Sequence, residues 1–213
     1  MQTDKTCLIV SGGDFSPLPA DPTPFDCVIA CDRGYEYAQR LGLIPDVIIG
    51  DFDSSARPDT AIPVRVHPVM KDDTDTMLAI RHALEKGFRD ISLCCALGGR
   101  FDHAFANVQS LAFAAERGAV GRILSEDTVI TAFPDGCRSF PRRDGWSFSC
   151  FSLSDVCTGV SIRGAKFKCE GADISNRFPI GVSNVWAEDE ITVSFESGIL
   201  AVIESRLRNG EHI

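Results

Sequence analysis

The chain has 213 residues, of which 44% are hydrophobic and 24% charged, a composition typical of a globular protein with one or two domains. No apolar run approaches the ~18 residues that a membrane helix needs, and the first run, Cys7 to Val10, is too short for a secretion signal. The formal net charge of −9 disfavours DNA or RNA as a partner, because an acidic surface repels the phosphate backbone.

The cysteine pattern favours a reducing compartment. Nine cysteines are an odd number, and none of them forms the C-x-x-C spacing of a zinc site or a thioredoxin-like motif. Buried free thiols explain all nine. We therefore predict a cytoplasmic protein with neither a membrane nor a nucleic-acid partner. If a protein of this net charge handles phosphates, it must do so through local positive groups and metal ions.

Short apolar runs alternate with helical patterns over the first part of the chain. The runs predicted as strands are 7–10, 27–30, 47–49, 64–66, 91–97, 123–124 and 129–133. The patterns predicted as helices, each with a glycine just beyond its end, are 35–41, 77–84 and 102–115. Strands that alternate with helices indicate a parallel or mostly parallel sheet covered on both faces, so we predict an α/β domain over residues 1–135.

The pattern changes in the last third of the chain. Proline, glycine and arginine are frequent in 134–145, which predicts a connector. Beyond it, 146–153 and 191–195 alternate as strands do, and Ser197-Gly198 predicts a hairpin turn after the second of them. We therefore predict a small all-β domain over residues 136–213.

The first candidate for chemistry is the pair Asp51 and Asp53, which directly follows the 47–49 strand. In an open α/β sheet, ligands bind beyond the carboxyl ends of the strands. Residues two apart in extended backbone point the same way, and two such carboxylates repel each other unless a cation lies between them. Oxygen ligands of this kind suit Mg²⁺. A loop with solvated aspartates and an Asx turn is the alternative.

The second candidate is Lys71-Asp72-Asp73-Thr74-Asp75, just before the 77–84 helix. Asp and Thr are ordinary residues at a helix N-terminus, where they cap the first turn. One cap needs only one acid or hydroxyl, whereas this segment has three acids in four positions. The surplus indicates a metal or phosphate site, to which Lys71 could add a local positive charge.

The third candidate, Gly98-Gly99-Arg100-Phe101-Asp102-His103, follows the 91–97 strand. Two glycines let backbone N–H groups approach an anion, and the following helix N-terminus favours negative charge. The guanidinium of Arg100 matches phosphate oxygens. Asp102 could instead be only the N-cap, and His103 is more typical of a surface residue at a helix start.

Weaker signals lie at two other strand ends. Ser11-Gly12-Gly13 follows the first strand, and Cys31-Asp32-Arg33-Gly34 follows the second, with Arg33 a further possible phosphate contact. The chain contains no G-x-x-x-x-G-K-[ST] loop, no G-x-G-x-x-G and no G-x-S-x-G. Asp, Arg or Gly-Gly thus follows the carboxyl ends of several strands of one predicted sheet, an arrangement typical of a nucleotide and metal site.

In this order the motifs resemble the thiamine pyrophosphokinase family. The segments that carry the resemblance are 41–54, 71–75, 98–103 with Asn107, 164–167 and 181–184. Three ordered blocks in the first domain are far more specific than any one of them, and the match covers most of the chain. The resemblance implies an N-terminal Rossmann-like α/β/α catalytic domain with a parallel sheet, a smaller C-terminal β-sandwich that binds thiamine, and a homodimer with its active site near the subunit interface.

The resemblance also implies the reaction and its residues. The family transfers pyrophosphate from ATP to thiamine with Mg²⁺, giving thiamine diphosphate and AMP. The implied metal ligands are Asp51, Asp53 and Asp75, and the implied catalytic residues are these three with Arg100 and Asp102. The implied nucleotide-site residues are Asp32, Arg33, Lys71, Thr74 and Arg100. The implied thiamine-site residues are Asp102, Phe167, which would stack on the pyrimidine ring, and Ser183 and Asn184, which would hydrogen-bond it.

Three positions depart from the family pattern. Arg33 stands where a small residue or glycine is usual, Phe167 where a larger or hydroxylated aromatic is usual, and Val185-Trp186 is an unusual tail for the Ser183-Asn184 motif. A tryptophan at such a position more often packs than stacks. One alternative is another enzyme, either a metal-dependent phosphohydrolase or a kinase of another small alcohol. The other is a non-catalytic nucleotide or vitamin sensor, and Arg33 is the residue that most favours it.

Overall fold

The chain forms two units, each built around its own strands. The computed structural model describes residues 5–19, 24–50, 52, 58–66, 73–208 and 211. Backbone contacts divide the chain into Met1–Glu126 and Asp127–Ile213. The boundary predicted from the sequence, between residues 135 and 136, falls within a strand of the second unit.

The N-terminal unit contains a parallel sheet. Its strands are β1 (Thr6–Val10), β2 (Cys27–Cys31), β3 (Val47–Gly50), β4 (Val64–Val66), β5 (Asp90–Cys94) and β6 (Val120–Leu124). They lie in the order β6-β5-β1-β2-β3-β4, and every neighbouring pair is parallel. Cys7 to Val10 of the central β1 are fully buried, which explains why this strand is continuously apolar rather than alternating.

Strand order in this sheet reverses at β1. The chain builds β2, β3 and β4 outward on one side of β1 and then returns to place β5 and β6 on the other side. The loops after β1 and β5 therefore leave the same edge of the sheet side by side. In open α/β sheets this switch point is where ligands bind.

Helices cover both faces of this sheet. They are α1 (Gly34–Arg40), α2 (Asp75–Glu85) and α3 (Phe101–Ala115). α1 buries Tyr37 against Leu8 and Val10 on one face. α2 packs on the opposite face, where the hydroxyls of Thr76 and Ser11 lie 3.2 Å apart, and α3 packs beside α2. Of the helices that the structure describes, none is long and apolar enough to cross a membrane.

The three helices lie close to their predicted positions, but the fifth strand is shorter than predicted. It ends at Cys94 instead of continuing to Leu97, because Cys95 adopts a left-handed backbone conformation with φ of 52°. The backbone carbonyls of Cys95 and Leu97 accept bonds from Gly13 and Asp14 instead of extending the ladder. Residues 95–97 thus belong to the loop that faces the β1 loop.

Gly34 begins α1 at a point where two backbones nearly touch. A Cβ atom added there would lie 2.0 Å from the carbonyl oxygen of Val10. No side chain can be accommodated at that separation without moving β1 or α1. Gly34 therefore allows the start of α1 to lie directly against the end of β1.

The C-terminal unit contains only strands among its described residues, which confirms the predicted all-β composition. They are β7 (Thr128–Pro141), β8 (Trp146–Ser152), β9 (Val156–Arg163), β10 (Cys169–Ser175) and β11 (Glu190–Arg206). β11 pairs antiparallel with β7 on one edge and with β9 and β8 in succession on the other, and β10 pairs with β9. β9 and β10 were not predicted from the sequence.

Two predictions for this unit are wrong. β7 runs through most of the predicted connector, and β11 is one strand of 17 residues instead of a hairpin. The residues between Phe195 and Ile199, including Ser197-Gly198, form a bulge opposite β7. Pro134 pairs at this bulge and Pro141 ends its strand, positions where a missing N–H is tolerated.

Glu204 carries a buried charge in the C-terminal unit. Its residue surface is 3% exposed, and its Oε1 lies 3.0 Å from Nε of Arg143 but makes no hydrogen bond. Burial raises the pKa of the Glu204 carboxyl, and the opposing effect of Arg143 is smaller. The ionised carboxylate is therefore less favourable in the folded state than in the unfolded chain.

The close approach at Gly34 makes a prediction for stability. We expect Gly34→Ala to lower the free energy of unfolding by about 1–3 kcal/mol, because the added Cβ forces β1 and α1 apart. Gly12→Ala is the control, since its Cβ would meet only Cβ of Arg33 at 3.7 Å. Urea unfolding measures both, and a Gly34→Ala midpoint equal to that of Gly12→Ala would contradict the described contact.

Glu204 makes a prediction for pH dependence. The pKa of the Glu204 carboxyl is higher in the folded protein than in the unfolded chain. The protonated carboxyl therefore contributes stability that is fully present below the pKa of the unfolded chain and is lost as the pH rises through the pKa of the folded protein. Glu204→Gln removes that loss, so the variant should match the wild type near pH 4 and exceed its Tm at pH 8 by about 2–4 °C, or about 1 kcal/mol. The exposed Glu188→Gln should change neither. A lower Tm for Glu204→Gln at pH 8 would mean that the Arg143 ion pair stabilises the fold.

Candidate active site

A cavity of about 790 Å³ opens at the carboxyl edge of the parallel sheet. The loops after β1, β2 and β5 and the first residues of α2 and α3 form its walls. The predicted site residues that line it are Asp32, Arg33, Thr74, Asp75 and Arg100. Residues from four separate stretches of sequence thus meet at the switch point of the sheet.

Three predicted site residues lie outside the described part of the chain. They are Asp51, Asp53 and Lys71. Their roles remain predictions. The strand that leads to the two aspartates, β3, ends at Gly50, where an added Cβ would lie 3.3 Å from the backbone of Asp32. The end of β3 therefore lies directly beside the β2 loop that lines the cavity.

Backbone hydrogen bonds join the β1 and β5 loops. Gly13 N donates to Cys95 O at 2.8 Å, and Asp14 N donates to Leu97 O at 3.0 Å. A side chain also crosses between the loops, since Gly99 N donates to Oδ2 of Asp14 at 2.9 Å. The floor of the cavity is therefore fixed by main-chain contacts that depend on the small size of the glycines.

The N-terminus of α2 brings both a cap and surplus acids to the cavity. Thr74 is the N-cap, and its Oγ1 accepts from Met77 N at 3.2 Å. Asp73 pairs with Arg81 at 3.2 Å. Because Thr74 caps the helix, the Asp75 carboxylate is not needed for capping. This agrees with the predicted surplus of acids at the start of α2.

Two carboxylates from different elements approach one buried thiol. Cys31 donates from Sγ to the backbone carbonyl of Asp75 at 3.5 Å. Burial raises the pKa of Cys31 well above its usual value, and the charges of Asp75 and Asp32 raise it further. Cys31 therefore stays a neutral thiol, and negative charge from β2 and α2 converges at this wall of the cavity.

Arg100 and Asp102 form a two-pronged ion pair at the rim. Nε of Arg100 lies 3.1 Å from Oδ1 of Asp102, and its other prong, Nη2 to Oδ2, measures 2.5 Å. Both side chains are exposed. The hydrogen bonds from Arg100 lower the pKa of Asp102, and those to Asp102 raise the pKa of Arg100. A carboxylate with a lowered pKa is a weaker base, which favours an orienting over a proton-accepting role for Asp102.

Asp102 is not the N-cap of α3, so that alternative is wrong. The N-cap position belongs to Arg100, whose extended backbone leads into the helix without a side-chain cap bond. Asp102 lies in the first turn, and its Oδ1 accepts from His103 N at 3.0 Å. The nearby Asn107 is buried and donates to Ala96 O at 2.8 Å, which ties α3 to the β5 loop.

Arg33 provides the second arginine of the cavity. It is exposed at the N-cap of α1, and its guanidinium lies 5.3 Å from the ring centroid of Tyr37. The same ring lies edge-on to Phe15, whose face is covered by Arg40 at 3.6 Å. The ring of Tyr37 thus supports the exposed guanidinium of Arg33 at the rim of the cavity.

The donor set suits a hard divalent cation. The carboxylates that line the cavity are Asp14, Asp32, Glu36, Asp73 and Asp75. Oxygen ligands of this type are those that Mg²⁺ prefers. Over the described residues alone, no three acidic, histidine or cysteine side chains lie close enough to hold a metal ion. A metal site built on Asp75 would therefore need further ligands from outside the described residues, from water or from substrate phosphates, and the predicted protein source is the segment of Asp51 and Asp53.

Three of the four predicted thiamine-site residues, Phe167, Ser183 and Asn184, lie together in the C-terminal unit, whereas Asp102 lies in α3 of the N-terminal unit. Oδ1 of Asn184 accepts from Phe167 N at 3.0 Å, and its Nδ2 donates to Phe167 O at 2.7 Å. Asn184 is 7% exposed, whereas the ring of Phe167 lies largely in solvent. Ser183 is exposed in a left-handed conformation, and its backbone N donates to Oγ of Ser149. Asn184 thus holds the backbone of Phe167.

Trp186 packs, as the sequence analysis predicts. It is 6% exposed, its Nε1 donates to Phe140 O at 3.1 Å, and its ring meets Phe148 edge-on at 5.0 Å. The unusual Val185-Trp186 tail therefore builds the core beneath Asn184. It leaves the exposed Phe167 as the aromatic surface of this segment.

Sequence reasoning missed three polar residues of the cavity, Asp14, Glu36 and Thr76. Asp14 opens a proline-rich segment that was treated only as a loop, and its position directly after Gly12-Gly13 was the available signal. Thr76 is a buried helical residue whose partner, Ser11, lies 65 positions away in the chain. No local pattern announces such a contact.

Comparisons with known proteins agree on one family. The family described as "Thiamin pyrophosphokinase, catalytic domain" matches residues 24–120, and "Thiamin pyrophosphokinase, vitamin B1 binding domain" matches 141–200. A thiamine pyrophosphokinase of Bacillus subtilis (strain 168) is 30% identical over 212 residues, which cover 94% of this chain and 99% of that relative. Thiamine pyrophosphokinase 2 of Oryza sativa subsp. japonica is 26% identical and spans 82% of this chain and 70% of its own length.

Solved structures give the same result. The crystal structure of thiamine pyrophosphokinase from Bacillus subtilis has a TM-score of 0.83 and 28% identity, covering 95% of this chain and 99% of that one. That of the Geobacillus thermodenitrificans enzyme has a TM-score of 0.82 and 28% identity, covering 96% and 99%. The predicted fold class, a Rossmann-like α/β/α domain followed by an all-β sandwich domain, is confirmed.

The contacts of Asn184 make a prediction that separates support from binding. Asn184→Ala removes the partners of Phe167 N and O, so we expect the free energy of unfolding to fall by about 1–3 kcal/mol. Ser183→Ala is the neighbouring control, because Ser183 is exposed and should leave stability unchanged. Chemical denaturation compares the two. Equal stabilities would mean that the side chain of Asn184 does not hold this segment.

Proposed function

The chain belongs to the thiamine pyrophosphokinase family, and we propose that it transfers pyrophosphate from ATP to the hydroxyl of thiamine, giving thiamine diphosphate and AMP. The observation that carries the proposal is the cavity at the switch point of the parallel sheet, where two arginines meet a set of carboxylates. The family predicted from the motifs is confirmed, and none of the three comparisons supports a phosphohydrolase or a kinase of another alcohol.

The nucleotide is proposed to bind with its phosphates toward the arginines of the cavity. Arg100 and Arg33 supply positive charge at the rim, and Arg100 presents a planar fork that matches phosphate oxygens. Lys71, Thr74 and Asp32 are the further nucleotide-site residues carried over from the family resemblance. Because Arg100 pairs with Asp102, phosphate binding redistributes hydrogen bonds within an existing ion pair instead of desolvating a lone cation.

Mg²⁺ is proposed to be held by Asp75 together with Asp51 and Asp53. The support is the hard-oxygen donor set of the cavity and the position of the β3 end beside the β2 loop. The bound ion would neutralise charge on the phosphate oxygens during transfer. Asp75 contributes from the first turn of α2, where the helix is anchored by Thr74 and by the contact between Thr76 and Ser11.

The proposed reaction is an in-line attack of the thiamine hydroxyl on the β-phosphorus of ATP. The bond between the β-phosphorus and the bridging oxygen breaks, and AMP leaves with that oxygen. Positioning and charge compensation carry most of the catalysis in phosphoryl transfer, because the protein supplies little covalent chemistry. Arg100 would hold a phosphate, and the Asp102 carboxylate, held in place by its two hydrogen bonds from Arg100, would orient the attacking hydroxyl.

The thiamine ring is proposed to bind at Phe167. The exposed ring offers a flat apolar face, and Lys166 Nζ lies 5.4 Å from its centroid. Ser183 offers a hydroxyl in the next segment, whereas most of the hydrogen-bonding capacity of Asn184 is used by the backbone around Phe167. We therefore assign Asn184 to the support of Phe167, and Ser183 to direct contact with the ring.

The homodimer with its active site near the subunit interface and the cytoplasmic location remain predictions. The homodimer rests on the family resemblance, and the location rests on the cysteine pattern and on the lack of an apolar run long enough for a membrane helix. All nine cysteines are free thiols in the structure.

Substitution of the two proposed metal ligands Asp75 and Asp53 tests the proposed function. Asp75→Asn and Asp53→Asn should each lower kcat by about 100-fold or more, because each removes a charge that the metal and phosphates require. Folding should be largely intact, since Thr74 and not Asp75 caps the helix, and loss of a first-turn charge costs only about 0.3–1 kcal/mol. Release of AMP and formation of thiamine diphosphate are measured under Mg-ATP and thiamine, with Tm as the folding check.

The exposed Asp135→Asn, which lies in β7, is the matched control and should leave both measurements unchanged. Fully active Asp75→Asn and Asp53→Asn enzymes would contradict the assignment of these residues as metal ligands. Production of ADP or inorganic phosphate by the wild type would contradict pyrophosphate transfer itself.

A further inference from the structure

Asp14 joins the two loops that form the floor of the cavity. It follows Gly12-Gly13 at the end of β1, and its backbone N donates to Leu97 O at 3.0 Å. Its carboxylate reaches the next turn, where Oδ2 accepts from Gly99 N at 2.9 Å. One residue of the β1 loop thus contacts the β5 loop at two points, Leu97 and Gly99.

The carboxylate of Asp14 fits closely against Gly98. A Cβ added at Gly98 would lie 2.4 Å from Oδ2 and 2.7 Å from Cβ and Cγ of Asp14, so any larger residue would displace the side chain. Gly98 and Gly99 also adopt left-handed conformations, with φ of 79° and 62°. The two glycines make room for Asp14 as well as adopting the turn itself.

The bond to Asp14 changes the role expected of Gly99. Its N–H, which the sequence analysis assigns to anion binding, already has a charged acceptor. The next residue is Arg100, which has no side-chain cap bond of its own at the start of α3. Besides its ion pair with Asp102, the direction in which Arg100 leaves the turn is set by the backbone of Gly98-Gly99.

We propose that Asp14 is a positioning residue that holds the Gly98-Gly99 turn and thereby orients Arg100 toward the nucleotide phosphates. The inference rests on the proposed function for the identity of the ligand. It assigns phosphate contact to the side chain of Arg100 and removes Gly99 N–H from the set of phosphate donors. Asp14 acts through its hydrogen bond, and its negative charge is incidental.

A rival arrangement makes the opposite prediction. If a phosphate displaced Asp14 from Gly99 N–H, the carboxylate would compete with the nucleotide, and its removal would strengthen binding. Charge alone acts in the same direction, because a carboxylate that lines the cavity repels a polyanion. Removing the hydrogen bond and removing the charge can be separated by two substitutions at this position.

Asp14→Asn keeps a carbonyl acceptor for Gly99 N–H and loses the charge, whereas Asp14→Ala loses both. We expect Asp14→Asn to have a KM for ATP equal to or below that of the wild type. Asp14→Ala should lower kcat/KM for ATP by about 10- to 100-fold, the scale of a misplaced binding group, with the KM for thiamine unchanged. Tighter ATP binding by both variants would overturn the proposal in favour of displacement.

Gly98→Ala gives a second approach that keeps Asp14 in the chain. Its Cβ should expel the carboxylate and reproduce the loss of Asp14→Ala. Gly118→Ala is the matched control, because Gly118 has a similar φ of 73° but open space around it. Equal activity of the Gly98→Ala and Gly118→Ala enzymes would contradict the close fit.

Amide hydrogen exchange at Gly99 tests the same bond without any turnover. The amide should be protected in the wild type and in Asp14→Asn, with and without Mg-ATP, and should exchange faster in Asp14→Ala. This result stands even if the enzyme makes a different product, so it is separate from the proposed function. Unchanged exchange in Asp14→Ala, or loss of protection when Mg-ATP binds to the wild type, would overturn the proposal.

Discussion

The site depends on the close approach of the β1 and β5 loops at the switch point of the sheet. The chain continues from β1 to β2 on one side and reaches β5 on the other, and this reversal of strand order leaves a crevice at the carboxyl edge. Backbone hydrogen bonds from Gly13 and Asp14 to the β5 loop form the floor of this crevice. Residues without side chains are needed on both sides, because a Cβ at Gly13 would lie 2.7 Å from Cys95 O. The positions of Arg100, α3 and the rim of the cavity all follow from this contact.

Charge is distributed so that an acidic protein can take an acidic ligand. The net charge is −9, and the described residues that line the cavity include five carboxylates and two arginines. Such a cavity would repel a triphosphate unless a divalent cation accompanied it. The arginines lie at the rim, each supported by a neighbour, Asp102 for Arg100 and the ring of Tyr37 for Arg33. The half-buried acids Asp32, Asp73 and Asp75, together with exposed arginines at the rim, are thus consistent with a metal–nucleotide ligand.

The sequence predicted the first unit better than the second, for a physical reason. Buried parallel strands such as Cys7 to Val10 are continuous apolar runs, and helices such as α2 have caps and glycine stops, so both are encoded locally. Ser197-Gly198 is compatible with a hairpin turn or with a bulge, and only the pairing of β11 with β7 decides between them. In the site, charged motifs at strand ends were recognisable, whereas the bond from Gly99 to Asp14 joins residues 85 positions apart and leaves no periodic trace. Asn184 was recognised as important, but its support of Phe167 required the geometry.

The central claim is that the chain transfers a pyrophosphate group by attack at the β-phosphorus of ATP. ATP that carries ¹⁸O in the bridge between the α- and β-phosphorus tests it most directly, with thiamine as acceptor and mass spectrometry of both products. The account predicts that all of the bridging label leaves in AMP and that thiamine diphosphate contains none. Label retained in ADP, or found in the thiamine product, would contradict it.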